Sequence, residues 1–157
     1  MIEKAGRGIV ERIVSGGQSG VDRAALDVAL ALGYACGSWC PKGRRAEDGP
    51  IDDRYALIET NSDRYIQRTR WNVRDSDGTL ILLRGQAEGG TLKTIEFATR
   101  QRRPLCIIDL DTAPQPRRAR RWIEENAIST LNAAGPRESK SPGIYADASR
   151  FLRRLLA

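Results

Sequence analysis

The segment Ser15–Leu26, SGGQSGVDRAAL, sets three glycines and two serines directly behind the apolar pair Ile13-Val14 and then turns helical. From Val21 to Leu32 the apolar residues Val21, Ala24, Ala25, Val28, Ala29 and Leu32 recur at three- and four-residue spacing, and Gly33 follows. That is the stripe of an amphipathic helix with a glycine stop. Strand, glycine turn and helix in this order open a βαβ unit. Such a turn aims successive backbone N–H groups at one point, and a helix N-terminus favours an anion there. A plain tight bend is the competing reading. Arg23, in the helix's first turn, opposes the macrodipole unless an anion lies near.

Working outward, the same alternation continues. Apolar runs at Ile13-Val14, Tyr34–Cys36, Thr79–Leu83, Leu105–Ile108 and Ile128–Asn132 are strand-length. The uninterrupted TLILL and LCII suit strands covered on both faces. Helical patterns lie between and after them at Asp63–Val73, with Ser62 as a cap, at Thr91–Gln101, at Pro116–Asn126 and at Pro142–Leu156. Alternating strands and helices predict an α/β fold: a Rossmann-like three-layer α/β/α sandwich with a mostly parallel sheet of about five strands. With 157 residues, 40% of them apolar, one core and one domain over residues 1–157 are expected. Ligands in such sheets sit at the carboxyl ends of the strands, where strand order reverses.

Composition narrows the chemistry. There is no histidine, which removes Ser-His and Cys-His nucleophile pairs. Cys36, Cys40 and Cys106 are odd in number, and the three-residue gap between the first two differs from metal or redox pairs, so they read as reduced buried thiols. A net charge of +6 favours acidic partners such as phosphate-bearing small molecules. The cluster Arg117–Arg121 lacks interleaved aromatics and reads as surface charge rather than a nucleic-acid contact. The stretch MIEKAGRGIVERIV lacks the plan of a secretion signal and no run approaches a membrane span, so a cytoplasmic protein is expected.

Two further junctions repeat the opening one. EGGTLKT follows TLILL and puts Gly89, Gly90 and Thr91 at a helix start with Lys93 in its first turn, and NAAGPRESKSPG follows the last strand with Asn132, Arg137, Glu138 and Ser139. In a parallel sheet all three converge on one edge. The polar loop Cys40–Asp52, CPKGRRAEDGPID, offers Lys42, Arg44 and Arg45 to close over phosphates, although a solvated basic face is the favoured reading of the two arginines taken alone. Asp75 and Asp77 in DSDG read first as turn formers, and Asp109 and Asp111 end a strand within reach of the edge. Asp22 has the right charge for a helix start and suits a ligand hydroxyl or ring nitrogen better than an anion.

Taken in order across nearly the whole chain, SGGQSGVDRAALDVAL, CPKGRRAEDGPI, RTRWNVRDSDGTLIL, GGTLKT and NAAGPRESKSPGI resemble the molybdenum-cofactor carrier proteins. The resemblance implies a Rossmann-like fold, a homo-oligomer, and kinship with the lysine-decarboxylase-like nucleotide-binding group that includes cytokinin-activating phosphoribohydrolases. It implies a carrier for the molybdenum cofactor (molybdopterin), a pterin bearing a phosphate, and more broadly a nucleotide-binding or phosphate-binding protein. Carried over, the ligand-binding residues are Gly16, Gly17, Gln18, Ser19, Gly20, Asp22 and Arg23; Lys42, Gly43, Arg44 and Arg45; Asn72 and Asp75; Gly89, Gly90 and Thr91; and Gly135, Pro136, Arg137, Glu138 and Ser139. Asn72, Asp75 and Glu138 are then candidates for the polar head. Ser19 stands where the family more often has threonine, which keeps the hydroxyl. The phosphoribohydrolases carry catalytic glutamates after their Gly-Gly-x-Gly-Thr stretch, whereas Thr91 here is followed by Leu92, Lys93 and Thr94. A nucleotide N-glycosidase using Asp22, Asp75 or Glu138 is the alternative; a binding or carrier protein is the main expectation.

Overall fold

A computed structural model describes residues 8–157. The reading of the amino-terminal stretch as lacking a secretion signal falls largely on residues 1–7, outside the described residues. Strands β1 (Arg12–Val14), β2 (Ala35–Cys40), β3 (Leu57–Glu59), β4 (Gly78–Leu83), β5 (Leu105–Asp109) and β6 (Thr130–Ala134) form a six-stranded sheet in the order β3-β2-β1-β6-β4-β5. Every pairing is parallel. The helices are α1 (Val21–Leu32), α2 (Tyr65–Arg74), α3 (Gly89–Arg100), α4 (Arg117–Glu125) and α5 (Ile144–Leu156). The expected α/β Rossmann-like architecture is present.

Strand order dictates the layers. The steps β1 to β2 and β5 to β6 run one way along the sheet, while β3 to β4 and β4 to β5 run the other. Right-handed crossovers therefore place α1 and α4 on one face and α2 and α3 on the other. The packing agrees: α5 lies against α1 and α4, and α2 lies against α3. The direction of winding reverses between β1 and β4, with β6 inserted there, and such a reversal is the general place for a ligand at the carboxyl edge of a parallel sheet.

Helix α1 matches the expected bounds: its apolar stripe is buried from Val21 to Ala29, with Leu32 exposed at the end, and Gly33 adopts a left-handed φ of 79° that ends it. Strand β4 is buried along its whole length, as its unbroken apolar run requires. Two features differ from expectation. Strand β2 runs on to Cys40 through the polar Gly37-Ser38, and the loop after it extends over residues 41–56, past the expected end at Asp52, before β3 begins. The sixth strand, β3, is three residues with only Leu57 buried, too short for its pattern to signal a strand. Ser62 accepts from the Arg64 N–H at 3.2 Å, ahead of the helix that begins at Tyr65. Cys40 and Cys106 are buried free thiols and Cys36 is a half-buried one. No helix among the described residues is long and apolar enough to cross a membrane.

Candidate functional site

The turns after β1 and β6 are pressed together, backbone on backbone. Gly20 has a φ of 78°, and a Cβ there would stand 2.3 Å from the Pro136 carbonyl oxygen; at Gly135 a Cβ would stand 2.1 Å from that of Leu82, at the end of β4. The Val21 N–H donates to Pro136 O at 3.2 Å, and the Glu138 N–H donates to Ser19 Oγ at 3.1 Å. Glycine is required at both positions because any side chain would separate the two turns. Ser15 Oγ donates to Asp22 O at 2.9 Å and secures the turn to its helix.

This junction gathers donors. Ser19 Oγ donates to the Glu47 carboxylate; so do the Ser139 N–H, at 3.1 Å, and the Ser139 hydroxyl. Arg137 Nε lies 3.7 Å from the same group. Gln18 Oε1 accepts from the N–H groups of Ser19 (3.0 Å) and Glu47 (2.8 Å). The Glu47 residue as a whole is exposed, yet its side chain is only 19% exposed. Although partial burial works the other way, the serine donors and Arg137 hold its carboxyl below the usual range. Next to it, Asp48 receives a two-pronged pair from Arg23, whose nitrogens also donate to Gly17 O at 3.0 and 3.2 Å. The cation that opposes the α1 dipole thus meets a carboxylate of the chain itself.

Behind the glycines sits a buried carboxylate. Asp22 Oδ2 accepts from the Gln18 N–H at 3.3 Å and lies 3.8 Å from Arg68 Nη2. Burial pushes its pKa up to about 6, against the pull of Arg68, the Gln18 N–H and Arg23. Arg68 lies over Gly16, where a Cβ would meet its Nε at 2.7 Å, and that Nε is buried without a hydrogen-bond partner.

The third junction is open. Nothing lies within 4 Å of where a Cβ would stand at Gly89 or Gly90, both exposed at the start of α3, while Thr91 is buried. Lys93 turns away to Glu96 of its own helix at 3.2 Å. Arg84, at the end of β4, pairs with Asp147 and lies 3.6 Å from Asp111, tying this edge to α5.

Other expected site residues have work elsewhere. Arg44 donates to the carbonyls of Ile51, Leu57, Asp52 and Tyr55 at 2.8 to 3.3 Å, so it braces its loop instead of presenting a guanidinium to a phosphate. Arg45 stacks over Tyr65 at 4.8 Å, and the Gly43 N–H donates to Glu59. Lys42 is exposed. Asn72 bonds both backbone groups of Trp39, and Asp75 accepts from the Trp39 indole at 2.7 Å and from Arg74. Glu138 caps α5 by accepting from the N–H groups of Gly143 and Tyr145. Asp75 and Glu138 thus make structural bonds in the arrangement seen. Asn132 donates to Thr79 Oγ1 inside the sheet at 3.2 Å. Among the described residues no group of three or more His, Cys, Asp or Glu is placed to hold a metal ion.

Glu47, Asp48 and Arg68 were absent from the expected set. The charge pattern of the loop held a signal for the first two: Glu47 and Asp48 are the acidic pair that follows its basic run. Arg68 gave none, since helix α2 is polar on most sides.

A model of the circularly permutated YpsA SLOG family matches residues 13–156. The fold is also similar to the crystal structure, at 1.45 Å, of a protein from Syntrophus aciditrophicus SB named "Putative molybdenum carrier protein". The two share 41% identity over 97% of this chain and 98% of that one, with a TM-score of 0.92. Comparison with curated proteins gives no match.

Proposed function

The chain belongs to the circularly permutated YpsA SLOG family and is similar to a protein named "Putative molybdenum carrier protein", and on that premise we propose that it binds a phosphate-bearing ligand at the joined β1–α1 and β6–α5 turns. The ligand is the molybdenum cofactor or a nucleotide, and the chain acts as a single-domain binding and carrier protein. The supporting observation is the convergence of the Ser19 hydroxyl, the Ser139 N–H and hydroxyl, and the Arg137 guanidinium on one anionic group. Neutral and charged donors aimed at one oxyanion are the equipment of a phosphate site. The open glycines Gly89 and Gly90, at the neighbouring strand end, leave room for the rest of the ligand to approach backbone.

Native mass spectrometry of the purified protein, with phosphorus and molybdenum analysis, tests this reading. The expected result is a co-purifying molecule that carries phosphorus. A bound molecule devoid of phosphorus would overturn it.

A further inference from the structure

We propose that Glu47 is a built-in occupant of the phosphate position, which the ligand must displace; the inference rests on the phosphate-site reading above. The donors that would serve a phosphate all point at the Glu47 carboxylate. They come from two turns far apart in sequence: Ser19 lies 28 residues from Glu47, and Ser139 lies 92. A carboxylate and a phosphate monoester present the same feature to such donors, a pair of negative oxygens. The internal group therefore satisfies the site in the ligand's absence, so that the serine hydroxyls, the Ser139 N–H and Arg137 do not each need a water or a foreign ion.

Glu47 can leave without unfolding its loop. The segment is anchored independently by the four carbonyl bonds of Arg44, by the Ile51 N–H to Arg44 O at 2.7 Å, and by the buried side chains of Ala46, Ile51 and Tyr55. The Glu47 N–H is fixed to Gln18 Oε1, so the backbone stays while the side chain rotates outward. Asp48 stands in the same relation to Arg23, with a side chain half exposed. The two adjacent carboxylates thus answer the two cations of the site from one edge of the loop.

The consequence is a lowered apparent affinity. A site populated mostly in its self-filled form binds with the intrinsic constant divided by the open fraction. For a carrier this supplies a release step: as the ligand's phosphate moves off, the Glu47 carboxylate takes its donors, and the buried Ser19 hydroxyl is not left unpaired.

Isothermal titration of the full chain with inorganic phosphate and with adenosine monophosphate tests the displacement. Glu47→Ala is expected to bind each roughly tenfold more tightly than wild type, as for a site self-filled about ten to one. Glu47→Gln, which keeps the side-chain length but not the charge, is expected between the two, and carries the test alone if the alanine variant does not fold. Unchanged or weaker binding by the variants, with measurable binding by wild type, would overturn the displacement and leave the phosphate site standing. Absence of binding by wild type and variants alike would overturn both.

Discussion

The chain carries two glycine-bearing turns of similar composition, SGGQSG after β1 and EGG after β4, and the molecule uses them in opposite ways. In the first, glycine permits protein to touch protein: Gly20 admits the Pro136 carbonyl, and its partner Gly135 admits that of Leu82. In the second, Gly89 and Gly90 face open space. Gly89 has a φ of 50°, a conformation that favours glycine, and the space beside Gly90 leaves room for a ligand to lie against backbone. The difference divides the carboxyl edge into a wall already built and a floor left clear.

That division breaks first at its tightest point. Gly135→Ala drives a Cβ into two neighbours at once, the Leu82 carbonyl and the Val21 side chain. It is expected to cost about 3 kcal/mol or more, because backbone on one side cannot yield; the urea midpoint measures it. A midpoint within error of wild type would show that the two turns are not held in contact.

The buried acid in the first turn gives the next effect. Asp22 is raised from 3.8 to about 6 in the folded chain, so the folded state binds the proton more tightly than the unfolded state across that interval. Stability is therefore expected to fall as pH rises from about 4 through 6, by about 2–3 kcal/mol for this group. Glu47, Asp48 and Asp75 are shifted the other way and lose their contributions only as pH falls through values below the usual carboxylate range. Asp22→Asn keeps an acceptor for the Gln18 N–H and is expected to flatten this slope and to unfold later at neutral pH. Parallel urea curves at pH 5 and pH 7.5 for the two proteins decide the point; an equal slope in both would assign the dependence elsewhere.

The smallest effect has the opposite sign. Gly90→Ala, in the open second turn, is expected to be neutral or to stabilise by up to about 0.5–1 kcal/mol, since helix propensity improves and nothing is displaced. Thermal melts measure it. A clear loss of stability would mean that this turn, too, is packed.

How far this was readable from sequence follows from the range of the interactions. Helix α1 was legible because its stripe and its stop are local, and β4 because burial on both faces leaves an unbroken apolar run. Strand β3 was not, since three residues with one inward side chain leave no pattern, and β2 was cut short because Gly37-Ser38 interrupts its apolar signal. In the site, Ser19, Arg137 and Ser139 were legible as strand-end residues of a parallel sheet. The bracing of the loop by Arg44 was not legible, because its four carbonyl partners are invisible in composition. Glu47 was missed because a carboxylate looks wrong for an anion site until the fold places it among donors from the other end of the chain. Arg23 raised the right question, and the answer came from Asp48, 25 residues on.

The central claim is that the joined turns bind a phosphate through the donors now held by Glu47. The direct measurement is the affinity for adenosine monophosphate of a variant carrying Arg137→Ala and Ser139→Ala, compared with wild type by isothermal titration. Loss of a guanidinium and a hydroxyl from one oxyanion predicts at least about a tenfold weakening, with a cooperative unfolding transition retained. Equal affinity in the two proteins would contradict the account.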